Sequence, residues 1–120
     1  MAVRKRAEGR TGAGVLMRLA PTKDIASKIP AIGSIASDES DPTIFIHYFF
    51  MGCDWWAAEY DPETGRMFGF ANRGIPAFAK WGFFSIAEME SISVLGGLMG
   101  AERELGWTPK PFSECGAVPE

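Results

Sequence analysis

GCDWWAAEYDPETGRMFGF, residues Gly52 to Phe70, decides the fold. Its centre, Asp61-Pro62-Glu63-Thr64-Gly65, is a tight-turn sequence. The aspartate can accept from the backbone that follows it. Proline presets φ at the first corner, and glycine supplies the left-handed residue that returns the chain to its ladder. The flanks, Asp54–Tyr60 and Arg66–Ala71, are aromatic-rich and read as strands. The stretch therefore predicts a β-hairpin. Strict alternation puts Trp56, Ala58 and Tyr60 on one face and Trp55, Ala57 and Glu59 on the other.

Upstream, Thr43-Ile44-Phe45-Ile46-His47-Tyr48-Phe49-Phe50 carries the strongest strand signal. Ile44, Ile46, Tyr48 and Phe50 share one face, and Phe45 and Phe49 the other, with His47 between them. A strand apolar on both sides is covered on both faces. Before it, Thr22 can cap a short helix that carries Ile25 and Ile29 on one face and stops at Pro30. Downstream, Lys80–Phe84 reads as a further strand. Ser85–Ile92 reads as a helix, with Ser85 and Glu88 in capping-box spacing and Ile86, Met89 and Ile92 as its buried stripe. Gly96, Gly97 and Gly100 break the chain, Ala101–Leu105 fits either a helical turn or a strand, and Trp107–Pro111 is extended. The expected fold is α+β: a small antiparallel sheet of three to five strands with a short helix before it and a helix after it.

Composition bounds the function. A chain of 120 residues with 47% hydrophobic content suits one α+β domain over residues 17–120. Residues 1–16 read as a disordered basic extension with a net charge of +3, which leaves −6 on the rest. Weak, salt-sensitive contact with nucleic acid through that arm is open, but the acidic body does not suit phosphate. The apolar patch near Val15 is too short for an export signal, and no run spans a bilayer, so the expected location is cytoplasmic with no membrane partner. Cys53 and Cys115 read as free thiols. Two cysteines and one histidine lack zinc-site spacing, and the glycines near residue 100 lack phosphate-loop spacing, so no metal or other cofactor is implied.

Several residues can carry chemistry or binding. Glu59 and Asp61, two apart on a strand, either hold a cation or act as acid and base, or serve solvation and the turn. Glu88 and Glu102 are further carboxylates for that alternative. His47 is a candidate general base and Cys53 a candidate nucleophile, each with a simpler packing role. Four tryptophans and nine phenylalanines are many for this size. They are either core, or in part an interaction surface on a sheet face the short helices leave bare, where Trp55 and Phe49 would form an apolar patch, with one tryptophan of the Trp55-Trp56 pair in the core.

The ordered segments KDIASKIPAIG, DPTIFIHYFF, DWWAAEYDPETGRMFGF, GFFSIAEMESI and AERELGWTPKPFSE resemble the bacterial domain of unknown function 2958 family, found on plasmids, phages and conjugative elements. The resemblance covers about residues 17–115. It rests on Ile29-Pro30, Phe49-Phe50, Trp56, Glu59, Asp61, Gly69, Gly82, Phe84, Ser85, Glu88, Glu102 and Arg103. Lys80 stands where the family pattern has an acid, and Glu104 where it has aspartate. The resemblance implies no characterised activity but a mobile-element setting, in which the expected role is binding, such as an anti-CRISPR or antirestriction inhibitor of a host defence nuclease, rather than catalysis. The expected contact residues are Phe49, Trp55, Trp56, Glu59, Asp61, Trp81, Glu88, Glu102 and Arg103, with self-association as a further option. The alternatives are a small metal- or carboxylate-dependent enzyme and a nucleic-acid accessory protein.

Overall fold

The computed structural model describes residues 19–35, 40–94 and 99–117. The basic extension at 1–16 and the glycines Gly96 and Gly97 lie outside them. The fold is α+β. In chain order the elements are α1 (Lys23–Ala26), β1 (Thr43–Ile44), β2 (Ile46–Phe50), β3 (Cys53–Asp61), β4 (Arg66–Arg73), β5 (Lys80–Ser85), α2 (Ile86–Glu90), β6 (Ser93–Val94), β7 (Met99–Gly100), β8 (Glu102–Arg103) and β9 (Lys110–Pro111). Short 3-10 turns cover Pro76–Phe78 and Phe112–Glu114. The main sheet has five antiparallel strands in the order β5-β4-β3-β2-β8. β1 pairs with β9 and β6 with β7 in separate two-stranded ladders.

The β3–β4 hairpin closes as its sequence predicts. Asp61 accepts from the Glu63 amide at 3.0 Å and from the Thr64 hydroxyl at 2.9 Å. Gly65 takes φ +79° and donates its amide to the Asp61 carbonyl at 2.8 Å. The alternation beyond the turn differs from expectation. The register slips between Ala57 and Glu59, a β-bulge centred on Ala58. One extra residue reverses the facing of everything after it. Tyr60 therefore packs with Trp55 and Ala57, while Trp56 and Ala58 belong to the opposite core. Gly69 lies across from the bulge, where a side chain has no room.

A second break falls upstream. Thr43–Phe50 is not one strand: β1 pairs with β9, and β2 enters the main sheet after Phe45. Phe45 donates its amide to the Ala57 carbonyl at 2.9 Å. Ile44 consequently packs on the Trp56 side, and Ile46 and Tyr48 pack on the Trp55 side. Ala101–Leu105, open between helix and strand in the sequence, forms the edge strand β8 against Tyr48 and Phe49.

Both faces of the sheet are covered. On the first, α2 lays Ile86 and Met89 over Trp55, Tyr48 and Met67, and Ile25 and Ile29 pack in from α1 and its exit. Thr22 caps α1 and Ser85 caps α2. Glu88 does not complete the capping box. Its carboxylate is bound by Arg73 at 2.7 and 3.2 Å instead. On the second face, the chain after β8 crosses Ile44, Trp56 and Phe70, which Trp107, Phe112 and Cys115 cover. The Trp107 indole donates to the Ile44 carbonyl at 3.1 Å, and Asp41 accepts from the amide and hydroxyl of Ser113 at 2.8 and 2.7 Å.

Tyr48 ties the first core together. It is fully buried and donates its hydroxyl to the Leu19 carbonyl at 2.6 Å. Burial pushes its phenol far above the ordinary tyrosine value, with Arg103 opposing in part. The folded chain thus keeps a proton that the unfolded chain releases above about pH 10. The associated stability is fully present below that pH and is lost as pH rises beyond it. In an alkaline titration followed by tyrosinate absorbance, Tyr48 is expected to ionise only together with loss of the sheet signal. Ionisation near its ordinary value with the sheet intact would contradict its burial.

Candidate functional site

The sequence offers His47 alone as a candidate base, and the structure sets it in a polar cluster with Glu104 and Asp54. His47 lies on β2 with 4% exposure. Its Nδ1 is 2.6 Å from Glu104 Oε1 and its Nε2 is 2.7 Å from Asp54 Oδ1. The ring stacks on Trp56 at 5.1 Å and lies against Trp107 at 5.4 Å and Phe49 at 5.9 Å. A carboxylate only accepts, so both contacts are hydrogen bonds when the ring carries two protons or one carboxyl keeps its own. Neither ring nitrogen is left to meet a substrate. The geometry suits a pin that locks β2, β3 and the segment after β8, not a general base.

The expected contact residues go to separate places. Trp55 is fully buried opposite Tyr48 and Ala71, which removes the exposed Trp55–Phe49 patch. The physical reason is that neither face is bare: Ile86 and Met89 of α2 cover the Trp55 face, and the segment carrying Trp107 and Phe112 covers the opposite face, that of Trp56. Trp56, also among the expected contact residues, is buried in the core, and Phe49 is half-buried beside His47. Trp81, on β5, packs on Phe70 and Phe112 in the same aromatic layer.

Glu59 is buried and accepts from the amides of Gly33 at 2.9 Å and Ile35 at 2.7 Å, one bond to each oxygen. It holds the 31–35 loop against the bulge. Asp61 serves the turn and Glu88 holds Arg73. Glu102 sits on the outer strand β8, across from Phe49. The carboxylates are thus not convergent, and among the described residues no three metal-ligating side chains come together. Burial pushes the thiols up, Cys115 to about 11 and Cys53 with help from Asp54, so neither is an activated nucleophile.

Arg103 was expected at the site, and its environment is unusual. It is 9% exposed on β8, opposite Tyr48, and its Nε is buried without a hydrogen-bond partner among the described residues. It lines a cleft of about 150 Å³ with Ile25, Phe45, Ile46, Glu104, Gly106 and Trp107.

Among the described residues, the three most exposed large apolar side chains lie elsewhere, ahead of Phe83 and Met99. Met51 is 70% exposed, Ile75 55% and Phe78 73%. Met51 sits in the two-residue β2–β3 turn, and the other two sit in the β4–β5 connection. Phe50 pairs with Cys53 and Cys53 with Arg73, so both loops leave the same end of the sheet. A Cβ on Gly74 would lie 3.7 Å from the Cys53 sulfur, which places the loops side by side. Met51 has φ +44° and Gly52 φ +87°, the positive pair that tight hairpin turns demand. Methionine is poorly suited to that region, where Asn or Gly is usual. The sequence signal was a methionine before glycine between two strands.

Comparison with known proteins finds no matching family model, no similar curated protein and no similar solved structure. Among the described residues, no helix is long and apolar enough to cross a membrane.

Proposed function

We propose that the chain is a small interaction protein that docks a protein partner through the loop end of its sheet. The observation that carries this reading is the trio Met51, Ile75 and Phe78, large, apolar and largely exposed on two adjacent loops. Such residues cluster at partner surfaces. Met51 adds weight, because an unsuited residue in a strained position points to a demand other than stability. The resemblance to the mobile-element family supplies the setting: a cytoplasmic counter-defence protein whose partner is a host nuclease or a related complex. The net −6 on residues 17–120 favours a basic partner surface. The carboxylate-dependent enzyme is the weaker reading, because both Glu59 oxygens are already held by backbone amides.

The test is co-purification of the full chain against an Ile75→Asp/Phe78→Asp variant. A protein recovered in fixed proportion with the native chain, and lost with a variant that melts within a few degrees of it, is expected. Equal recovery with both, or a native chain that carries no partner, would overturn the reading. Recovery of a second copy of the chain as the sole companion would replace it with self-association. Met51→Asn is expected to raise folding stability by about 1 kcal/mol, by relieving the positive φ, while weakening partner retention. Denaturant midpoints measured beside the co-purification check both halves.

A further inference from the structure

We infer that the cleft beside β8 is a binding site for a small carboxylate with an aromatic or branched apolar body. This is independent of docking at the loop end. Arg103 is buried to nine-tenths, yet no hydrogen bond or ion pair reaches its guanidinium among the described residues. A buried charge without a partner is costly, and proteins ordinarily pair it. Nε is sealed, but the terminal nitrogens are not, and Arg103 lines the cleft. A guanidinium presents a planar fork that matches a carboxylate.

The remaining walls select the body of the ligand. Ile25, Phe45, Ile46 and the Trp107 ring are apolar, and Gly106 at φ +78° leaves one side open. A space of about 150 Å³ accommodates a body of about benzene size. The one other charged group on the lining is Glu104, whose Oε1 is turned to His47 at 2.6 Å. Lys110 lies with its Nζ 4.3 Å from the Trp107 ring centre, which adds positive charge on that side. An inorganic anion would meet Arg103 but leave the apolar walls unfilled.

The test titrates the full chain with benzoate, benzamide, acetate and inorganic phosphate, followed by the indole N–H resonance of Trp107. Benzoate is expected to shift it saturably. Benzamide, which has the shape without the charge, and acetate and phosphate, which have charge without the body, are each expected to bind at least about tenfold more weakly. Arg103→Met removes the charge at similar volume and is expected to abolish the benzoate response. Ile25→Trp fills the cleft while keeping Arg103 and is expected to do the same, so the test stands even where Arg103→Met fails to fold. Absence of a saturable benzoate response, equal response to benzamide or phosphate, or a response that survives Ile25→Trp would each overturn the assignment.

Discussion

Gly69→Ala is expected to abolish the native sheet. A Cβ built on Gly69 lies 1.9 Å from the Trp56 carbonyl oxygen, 2.9 Å from its carbon and 3.0 Å from the Ala57 Cα. All three are backbone atoms of the neighbouring strand, so no rotamer change relieves the overlap. Overpacking in a core commonly costs about 1–3 kcal/mol when side chains can adjust. Here β3 and β4 must separate where the Ala58 bulge brings them closest, and the cost is expected to exceed about 3 kcal/mol, a large part of ordinary domain stability. Gly82 provides the control. It pairs with Gly69 on the other side, and a Cβ there meets nothing within 4 Å. Gly82→Ala is expected to stay within about 1 kcal/mol of the native chain. Urea unfolding of the two variants side by side checks the contrast. A Gly69→Ala chain as stable as Gly82→Ala would refute the bulge packing.

Trp55→Ala is expected to lose about 3–5 kcal/mol, the range for deleting a buried tryptophan. Trp55 is the largest fully buried side chain and sits between Tyr48 and Ala71 in the centre of the sheet. Its indole nitrogen is buried without a hydrogen-bond partner among the described residues. Trp55→Phe therefore discards an unsatisfied donor along with part of the volume, and is expected to lose much less than the alanine change. Thermal melting of both variants is the measurement. A Trp55→Ala protein with unchanged melting temperature would mean that the residue lies on a surface. The consequence for function is direct: alanine at position 55 reports on folding, and a binding defect in that variant would locate no interface.

What could be read from the sequence was what depends on neighbouring residues. The Asp61–Gly65 turn, the caps at Thr22 and Ser85 and the Ile86/Met89 stripe are local chemistry, and they form as the sequence predicts. What escaped depends on distant residues. WWAAEY is apolar on both faces, so its alternation gives no marker for the slip at Ala58. The bulge is dictated by Gly69 and by the 31–35 loop that Glu59 binds. His47 finds Glu104, 57 residues away, through a two-residue edge strand that no periodicity announces. The segment Trp107–Pro111 reads as extended chain, with nothing to say what it covers. That it shields the second face follows from Asp41 gripping Ser113 and Trp107 reaching Ile44. For the same reason the surplus of aromatics misdirects a search for the interaction surface. Most of them stack inside, and the exposed apolar trio sits in loops of unremarkable composition.

The most direct test of docking at the loop end is site-specific photocrosslinking in the cell. A photoreactive residue is placed in turn at Phe78, at Met51 and at Glu63, the last in the β3–β4 turn at the opposite end of the sheet. One discrete adduct, of the same partner, is expected from positions 78 and 51 and none from 63. Adducts from position 63 alone, or from all three positions alike, would contradict docking at the loop end.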